Sequence, residues 1–387
     1  MAAIDSISNI AMLRREAARR LPRPIFDYLD GGADDEKALR RSSSAFDDIE
    51  IIPSMLTGTS AAGAGHNLFG KTIDWPVMLA PTGLTRLFHR DAELAVARAA
   101  VRENIPYCLS TLGTTTIEAF ASATSAPRLF QIYIFKDRGL TAEFVARARA
   151  ADYDGLVLTV DTVVAGNRER DRINGLSLPP RLTPRSLLSF ARHPRWSMRA
   201  LAGEPFEFVN VSHRAGRLGG STTSLFEYIA QQFDPTLRWS DLDWLAAQWG
   251  KPLAVKGVMS VDDAERSHAN GATAVMISNH GGRQLDEAPP PIDQITGIAD
   301  RLSGRMEIIC DGGIRRGSDI VKARALGADA CSIGRAYLYG LAAAGEEGVR
   351  RALTVLREEY ERTLILAGAP NSGRIDRQSI RFRQAPR

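Results

Sequence analysis

The sequence predicts an α/β fold, a (β/α)8 TIM barrel carrying an N-terminal helical cap and a long insertion after the fourth strand. Three observations predict it. Eight short runs rich in Val, Ile and Leu recur along the 387 residues, apolar on both parities, as strands buried on both faces of a parallel sheet must be. Longer helix-like stretches alternate with them. Polar residues gather at the C-terminal ends of the runs, where barrels of this kind keep their chemistry. The competing architecture is an open doubly wound sheet, but no GxGxxG follows the first run to favour it.

In chain order the expected strands are Pro76–Ala80, Pro106–Ser110, Leu129–Ile134, Gly155–Val160, Leu253–Lys256, Ala274–Ser278, Glu307–Cys310 and Ala330–Ile333. Helices are expected at Asp91–Glu103, Arg138–Ala150, Asp241–Gly250, Val261–Asn270 and Gly317–Leu326, the last three ending at or beside the Gly or Asn that often terminates a helix. Residues 1–75 precede the first strand and hold a helical stretch, Ile10–Arg20, and a loop-like Tyr28-Leu29-Asp30-Gly31-Gly32-Ala33, so they read as a cap on the barrel. Residues 76–340 form the barrel and 341–387 a C-terminal helix and tail, all within a single domain spanning 1–387. An insertion of about 173–238 separates strands four and five, and connections of that length are usually functional.

Composition narrows the class. Hydrophobic residues make up 44 % and charged residues 24 %, the balance of a globular protein, which excludes wholesale disorder. With 49 Lys+Arg against 45 Asp+Glu the net charge is +4, too mild to imply nucleic acid. No apolar run reaches the length of a membrane span, and Met1 to Ile10 does not read as a signal peptide, so a cytoplasmic location is expected. Cys108, Cys310 and Cys331 sit in apolar runs without metal-ligand spacing and read as reduced core thiols; no metal site is expected.

The strand ends carry the chemistry. They run Ala80-Pro81-Thr82-Gly83, Ser110-Thr111, then Gln131 and Tyr133, Thr159-Val160-Asp161, Lys256-Gly257, Ser278-Asn279-His280-Gly281-Gly282-Arg283, Asp311-Gly312-Gly313-Ile314-Arg315 and Gly334-Arg335. Glycine-bearing turns after strands seven and eight, each with an arginine, suit a phosphate, because backbone N–H groups can approach its oxygens. Tight βα turns are the plainer use of the same glycines. His280 is expected to act as a general base, oriented by Asp311 on the neighbouring strand end. Arg283 and Arg168 can each fork onto a carboxylate, although Glu169 and Asp171 offer Arg168 local partners. Lys256 ends a buried strand and needs an anionic partner there.

These motifs name a family. Ser278-Asn279-His280-Gly281-Gly282-Arg283-Gln284-Leu285-Asp286, followed by Asp311-Gly312-Gly313-Ile314-Arg315-Arg316-Gly317, resembles the FMN-dependent L-2-hydroxy acid dehydrogenases and oxidases. That family includes glycolate oxidase, L-lactate dehydrogenase and (S)-mandelate dehydrogenase. The match is collinear from Phe26-Asp27-Tyr28 to the final helix. The resemblance implies oxidation of an (S)-2-hydroxy acid to the 2-oxo acid, with FMN as cofactor. His280 would take the proton with Asp311 in support, and Arg283 and Arg168 would hold the substrate carboxylate. Tyr28 and Tyr133 would bond the carboxylate and the 2-hydroxyl. Lys256 would sit by the flavin N1/O2 edge, with Ser110, Gln131, Thr159 and Ser278 on the ring and ribityl chain. Pro81, Thr82 and Gly83 would face the ring near N5, while Gly313, Arg315, Gly334 and Arg335 would bind the phosphate. Hydride transfer and carbanion formation require the same residues, so both stay open.

Within the family, Gly83 stands where glycolate oxidase-like members carry alanine, which resembles the dehydrogenase branch. Leu112 stands where glycolate oxidase has tryptophan, implying room for a larger substrate. Between Arg181 and Arg217 lie seven arginines (181, 185, 192, 195, 199, 214, 217) against Glu204 and Glu207, interspersed with Leu182, Leu187, Leu188, Phe190, Trp196, Met198 and Leu201. Such a composition suits a membrane interface, or equally a soluble lid or subunit contact. His193-Pro194-Arg195-Trp196, Phe233-Asp234-Pro235 and Trp239 extend the likeness to the members that pass electrons to membrane quinone. The expected partners are therefore a 2-hydroxy acid, a quinone or other electron acceptor, peripheral contact with the inner face of the cell membrane, and further copies of the chain in a tetramer. The alternatives are an oxidase that releases hydrogen peroxide from oxygen, and a catalytically silent flavin-binding barrel.

Overall fold

A computed structural model of the chain describes residues 4–58, 65–176, 183–202, 208–211, 231–369 and 375–383. Eight parallel strands close into a barrel, in cyclic order Val77–Leu79, Tyr107–Ser110, Arg128–Ile132, Gly155–Thr159, Leu253–Val258, Ala274–Ser278, Glu307–Asp311 and Ala330–Ile333. The eighth returns to the first through Cys331 opposite Val77. Every residue of the fourth and sixth strands is buried, as a sheet sandwiched between its own interior and a ring of helices requires. Strands six and eight match expectation residue for residue, and the others shift at their ends.

Eight helices follow the strands, at Ala92–Arg102, Ile117–Ala123, Arg138–Ala150, Trp239–Trp249, Val261–Ala269, Pro291–Leu302, Gly317–Leu326 and Arg335–Ala344. The last runs past the boundary expected at residue 340. Gly250 and Gly327 end their helices in the left-handed conformation that glycine adopts without strain.

The two barrel ends are treated differently. A hairpin, His66–Leu68 with Lys71–Ile73, closes the N-terminal end by packing Leu68, Phe69 and Ile73 onto the interior layer of Met78, Cys108, Leu129 and Met276. Glu307 reaches under it, accepting the Phe69 N–H at 2.8 Å. The C-terminal end stays open and takes the N-terminal cap at its rim.

One correction concerns that cap. Tyr28, Leu29 and Asp30 are the last turn of a helix, Arg23–Asp30, not a loop. Ile25 and Leu29 lie one turn apart on its buried side, and Gly31 follows as its C-cap. The Arg335 guanidinium donates to the Leu29, Gly31 and Gly281 carbonyls, pinning this helix end to the mouth. Asp30 binds Arg14 at 2.6 Å and Tyr339 at 2.8 Å.

From the insertion, Pro184–Arg192 and Pro194–Ala202 form a helical pair. Phe190 stacks on Trp196 with ring centroids 5.4 Å apart, and the Trp196 indole donates to the Leu87 carbonyl, so both rings turn inward. Leu187, Leu188, Met198 and Leu201 stay exposed. Of the residues singled out in this segment, Arg181, Leu182, Glu204, Glu207, Arg214 and Arg217 lie outside the described residues.

Candidate active site

A cavity of about 870 Å³ opens at the C-terminal mouth of the barrel. All the anticipated site residues line it except Ser278. Ser278 lies beneath the floor with no exposure, its hydroxyl accepting from the Lys256 ammonium (3.0 Å) and the His280 N–H (3.1 Å) and donating to Asp311 (2.7 Å). Three protein partners use its hydroxyl.

A second correction concerns the partner of His280. Asp311 pairs in register with Ser278, two residues before His280, and its carboxylate meets Lys256 at 3.2 Å. Asp311 thus supplies the anion that a buried Lys256 requires. The carboxylate on the His280 ring is Asp161, 2.8 Å from Nδ1. It follows the fourth strand and reaches past the fifth, where Gly257 offers no side chain to block it. A Cβ at 257 would come within 2.7 Å of the Asp161 Cβ, and its φ of +106° favours glycine. A register shift between Lys256 and Val258 produces this turn. Asp161 was legible as a polar strand end, and it shares parity with the inward Thr159. Which strand ends converge depends on a bulge and a missing side chain, neither of which has a sequence period.

The electrostatics follow from burial. Burial pushes the Asp161 carboxyl up, but His280 and Lys256 outweigh it and hold it below the usual carboxylate range. Lys256, although fully enclosed, is held above the ordinary lysine value by Asp311 and Asp161. Arg283 lies over the Tyr28 ring at 5.0 Å and Arg168 at 5.5 Å. Burial lowers the Arg283 pKa and the neighbouring Arg168 charge lowers it further, so an anion entering between them relieves both. Arg283 is held in place by the Tyr28 and Gly31 carbonyls, at 2.7 and 3.1 Å. Arg168 leans on Asp171 at 3.3 Å, the local partner its sequence neighbours offered. Burial raises the Asp171 carboxyl above the usual range. Tyr133, buried beside Asp161 and Tyr28, keeps its phenol proton well beyond neutral pH.

The cavity also has donors without partners. Gln131 Nε2, Thr159 Oγ1 and Ser332 Oγ are buried in its lining and make no hydrogen bond among the described residues. Gln131 Oε1 is held by Ser110 Oγ at 3.0 Å, which fixes the amide with its NH2 left over. Thr82 Oγ1 meets the Tyr337 hydroxyl at 2.7 Å and sets the loop in which Pro81 and Gly83 also line the cavity. A methyl at 83 would stand 3.2 Å from the Leu112 Cβ, so those two positions shape one wall together. At the opposite side the helix Arg335–Ala344 begins at Gly334 with no side-chain cap, and Arg315 lines the same end. Burial and the adjoining Arg283 push the Arg335 guanidinium down to about 10.

A mouth holding a carboxylate-oriented imidazole, a pair of half-buried guanidiniums and an uncapped helix end defines a class: a barrel oxidoreductase for small hydroxy acids that uses a phosphorylated cofactor. The chain belongs to the FMN-dependent dehydrogenase family, whose model matches residues 17–382, and is an enzyme that oxidises an L-2-hydroxy acid such as lactate or mandelate. It is 45 % identical over 361 residues to a putative L-lactate dehydrogenase of Mycobacterium tuberculosis, covering 93 % of this chain and 86 % of that one. An L-lactate dehydrogenase of Yersinia pestis (strain Pestoides F) is 40 % identical over 378 residues, 97 % of this chain and 98 % of its own. Among solved structures, the monotopic membrane protein (S)-mandelate dehydrogenase superposes with a TM-score of 0.93 at 36 % identity, covering 97 % of this chain and 100 % of its own. A mandelate oxidase variant with 2-hydroxy-phenylacetamide gives 0.82 at 33 % identity, with coverage of 98 and 100 %.

The residues present fit FMN. The open helix N-terminus with Arg315 suits its phosphate, and the orphaned Gln131 and Thr159 groups suit the polar edge of a flavin.

Proposed function

We propose that His280 is the base of this oxidation, with Asp161 as its support. The observation that carries this reading is the 2.8 Å contact between Asp161 and His280 Nδ1, which leaves Nε2 to face the substrate. When His280 accepts the proton, the Asp161 carboxylate stabilises the imidazolium. Arg283 and Arg168 clamp the substrate carboxylate from two sides, and the Tyr28 and Tyr133 hydroxyls orient the carboxylate and the 2-hydroxyl. FMN, when bound, accepts the two electrons. Gln131, Thr159 and Lys256 would hold its ring system, Pro81–Gly83 would face it, and Gly313, Arg315, Gly334 and the Arg335 backbone would receive its phosphate.

Electrons then pass to a quinone or similar carrier in preference to oxygen, a reading supported by Gly83 and by likeness to a monotopic membrane enzyme. Exposed Leu187, Leu188, Met198 and Leu201 supply an apolar surface on the insertion that suits peripheral contact with the inner face of the membrane. The family likeness supports assembly as a tetramer.

Anaerobic mixing of the flavin-loaded enzyme with L-lactate or (S)-mandelate tests the reading. The yellow absorbance should bleach with the L or S acid and return faster with a quinone analogue than with oxygen. Absence of bleaching by any 2-hydroxy acid would overturn the catalytic roles; faster recovery with oxygen would overturn the acceptor.

A further inference from the structure

A second cavity, of about 1030 Å³, lies between the N-terminal cap, the loop after the first strand and the insertion helices. Its walls are dominated by arginine. Arg19 and Arg20 end the helix Ile10–Arg20 and share one carboxylate, Glu16, at 3.4 and 2.9 Å. Arg86 and Arg90 come from the loop after the first strand. Arg86 donates to the Thr114 carbonyl at 3.0 Å, and Arg90 stands 3.5 Å from Asp91. Arg98 is paired with Glu346 at 2.6 Å. From the insertion come Arg192, Arg195 and Arg199, for which no carboxylate lies within ion-pair distance among the described residues.

Eight guanidiniums therefore face a space whose own lining holds two carboxylates, Glu16 and Asp91. His89 registers the field. Burial lowers its pKa first, and Arg199, Arg90 and Arg20, from three separate elements, lower it further against Asp91. Arg192, Arg195 and Arg199 of the insertion, without a carboxylate among the described residues and facing the paired arginines of the cap and the first-strand loop, offer their forks to an external anion, and planar forks match phosphate oxygens two at a time. The floor is apolar, built from Leu21, Phe88, Leu94 and Trp196, so the anion should bear an organic portion. Phe88 lines the active-site cavity as well and stacks on Tyr28 with centroids 6.3 Å apart.

We propose that this cavity is a binding site for a phosphate ester, distinct from the FMN phosphate site, in which Arg192 and Arg199 supply the principal forks. The ester has two sources: the headgroup of an anionic phospholipid or a soluble organic phosphate. The site does not depend on the catalytic reading, and only its lipid source rests on the membrane contact proposed above.

The test uses the flavin-loaded full chain with two probes. Glycerol phosphate is titrated by calorimetry, and vesicles of phosphatidylglycerol in phosphatidylcholine are assayed by co-sedimentation against pure phosphatidylcholine. The double variant Arg192→Gln/Arg199→Gln is compared with Arg185→Gln, an exposed arginine on the same helical pair that lies outside the cavity. Flavin absorbance and turnover without probe, expected to be unchanged, verify folding. At least one probe should bind the double variant about tenfold or more weakly, about 1.4 kcal/mol, while Arg185→Gln stays within about twofold, because the double variant loses charge-assisted hydrogen bonds to the ester. Loss of glycerol phosphate binding assigns a soluble source, and loss confined to anionic vesicles assigns the lipid. Equal weakening by Arg185→Gln, or no weakening of either probe in the double variant, overturns the proposal.

Discussion

Asp161 and His280 are 119 residues apart in sequence and 2.8 Å apart at the barrel mouth, although one follows the fourth strand and the other the sixth. Asp161→Asn keeps the shape but removes the charge that stabilises a protonated imidazole. Turnover should fall about 10²–10⁴-fold with FMN still bound, checked by steady-state kinetics and flavin absorbance. A loss below threefold would remove Asp161 from the mechanism.

Gly257 makes that contact sterically accessible. In Gly257→Ala the new methyl meets Asp161 at 2.7 Å from a backbone with φ of +106°. The expected result is a stability loss of about 1–3 kcal/mol in urea denaturation, together with a fall in kcat that approaches the Asp161→Asn level. Wild-type kcat in this variant would mean the pair does not need the gap.

Arg283→Lys retains a charge but not the planar fork. One face of the guanidinium already holds the Tyr28 and Gly31 carbonyls. The variant should raise KM for the 2-hydroxy acid roughly ten- to a hundredfold, the value of one charge-assisted hydrogen bond. Measuring KM beside the thermal midpoint separates loss of the clamp from loosening of the cap.

At the closed end of the barrel, burial raises Glu307 from 4.5 to about 7 while Phe69 N–H holds it in place. A carboxyl raised on folding keeps its proton in the native state and loses it in the unfolded chain between those two values. Stability therefore falls as pH rises through that window, by at most on the order of 3 kcal/mol at 1.36 kcal/mol per pH unit. Glu307→Gln preserves the acceptor without the charge. It should be more stable than wild type at pH 8 and converge with it near pH 5 in urea titrations at both values.

The sequence by itself determined the barrel, because burial on both strand faces writes a continuous apolar run and each intervening helix writes its own period. Strand ends share one rim, so Tyr133, Lys256, His280 and Arg283 were legible there as mouth residues, whereas Tyr28 entered through the family resemblance and Arg168 from the loop after the fourth strand; all six line the cavity. Tertiary structure alone decided who touches whom there. Asp311 and Asp161 are both acidic strand ends, and nothing in spacing tells them apart. Register places Asp311 level with Ser278 and beside Lys256, whereas the bulge at Gly257 lets Asp161 reach past the fifth strand to His280. The same holds for the arginines of the second cavity. They are scattered from 19 to 199 in sequence, and their convergence arises only when the cap and the insertion fold over one edge of the barrel.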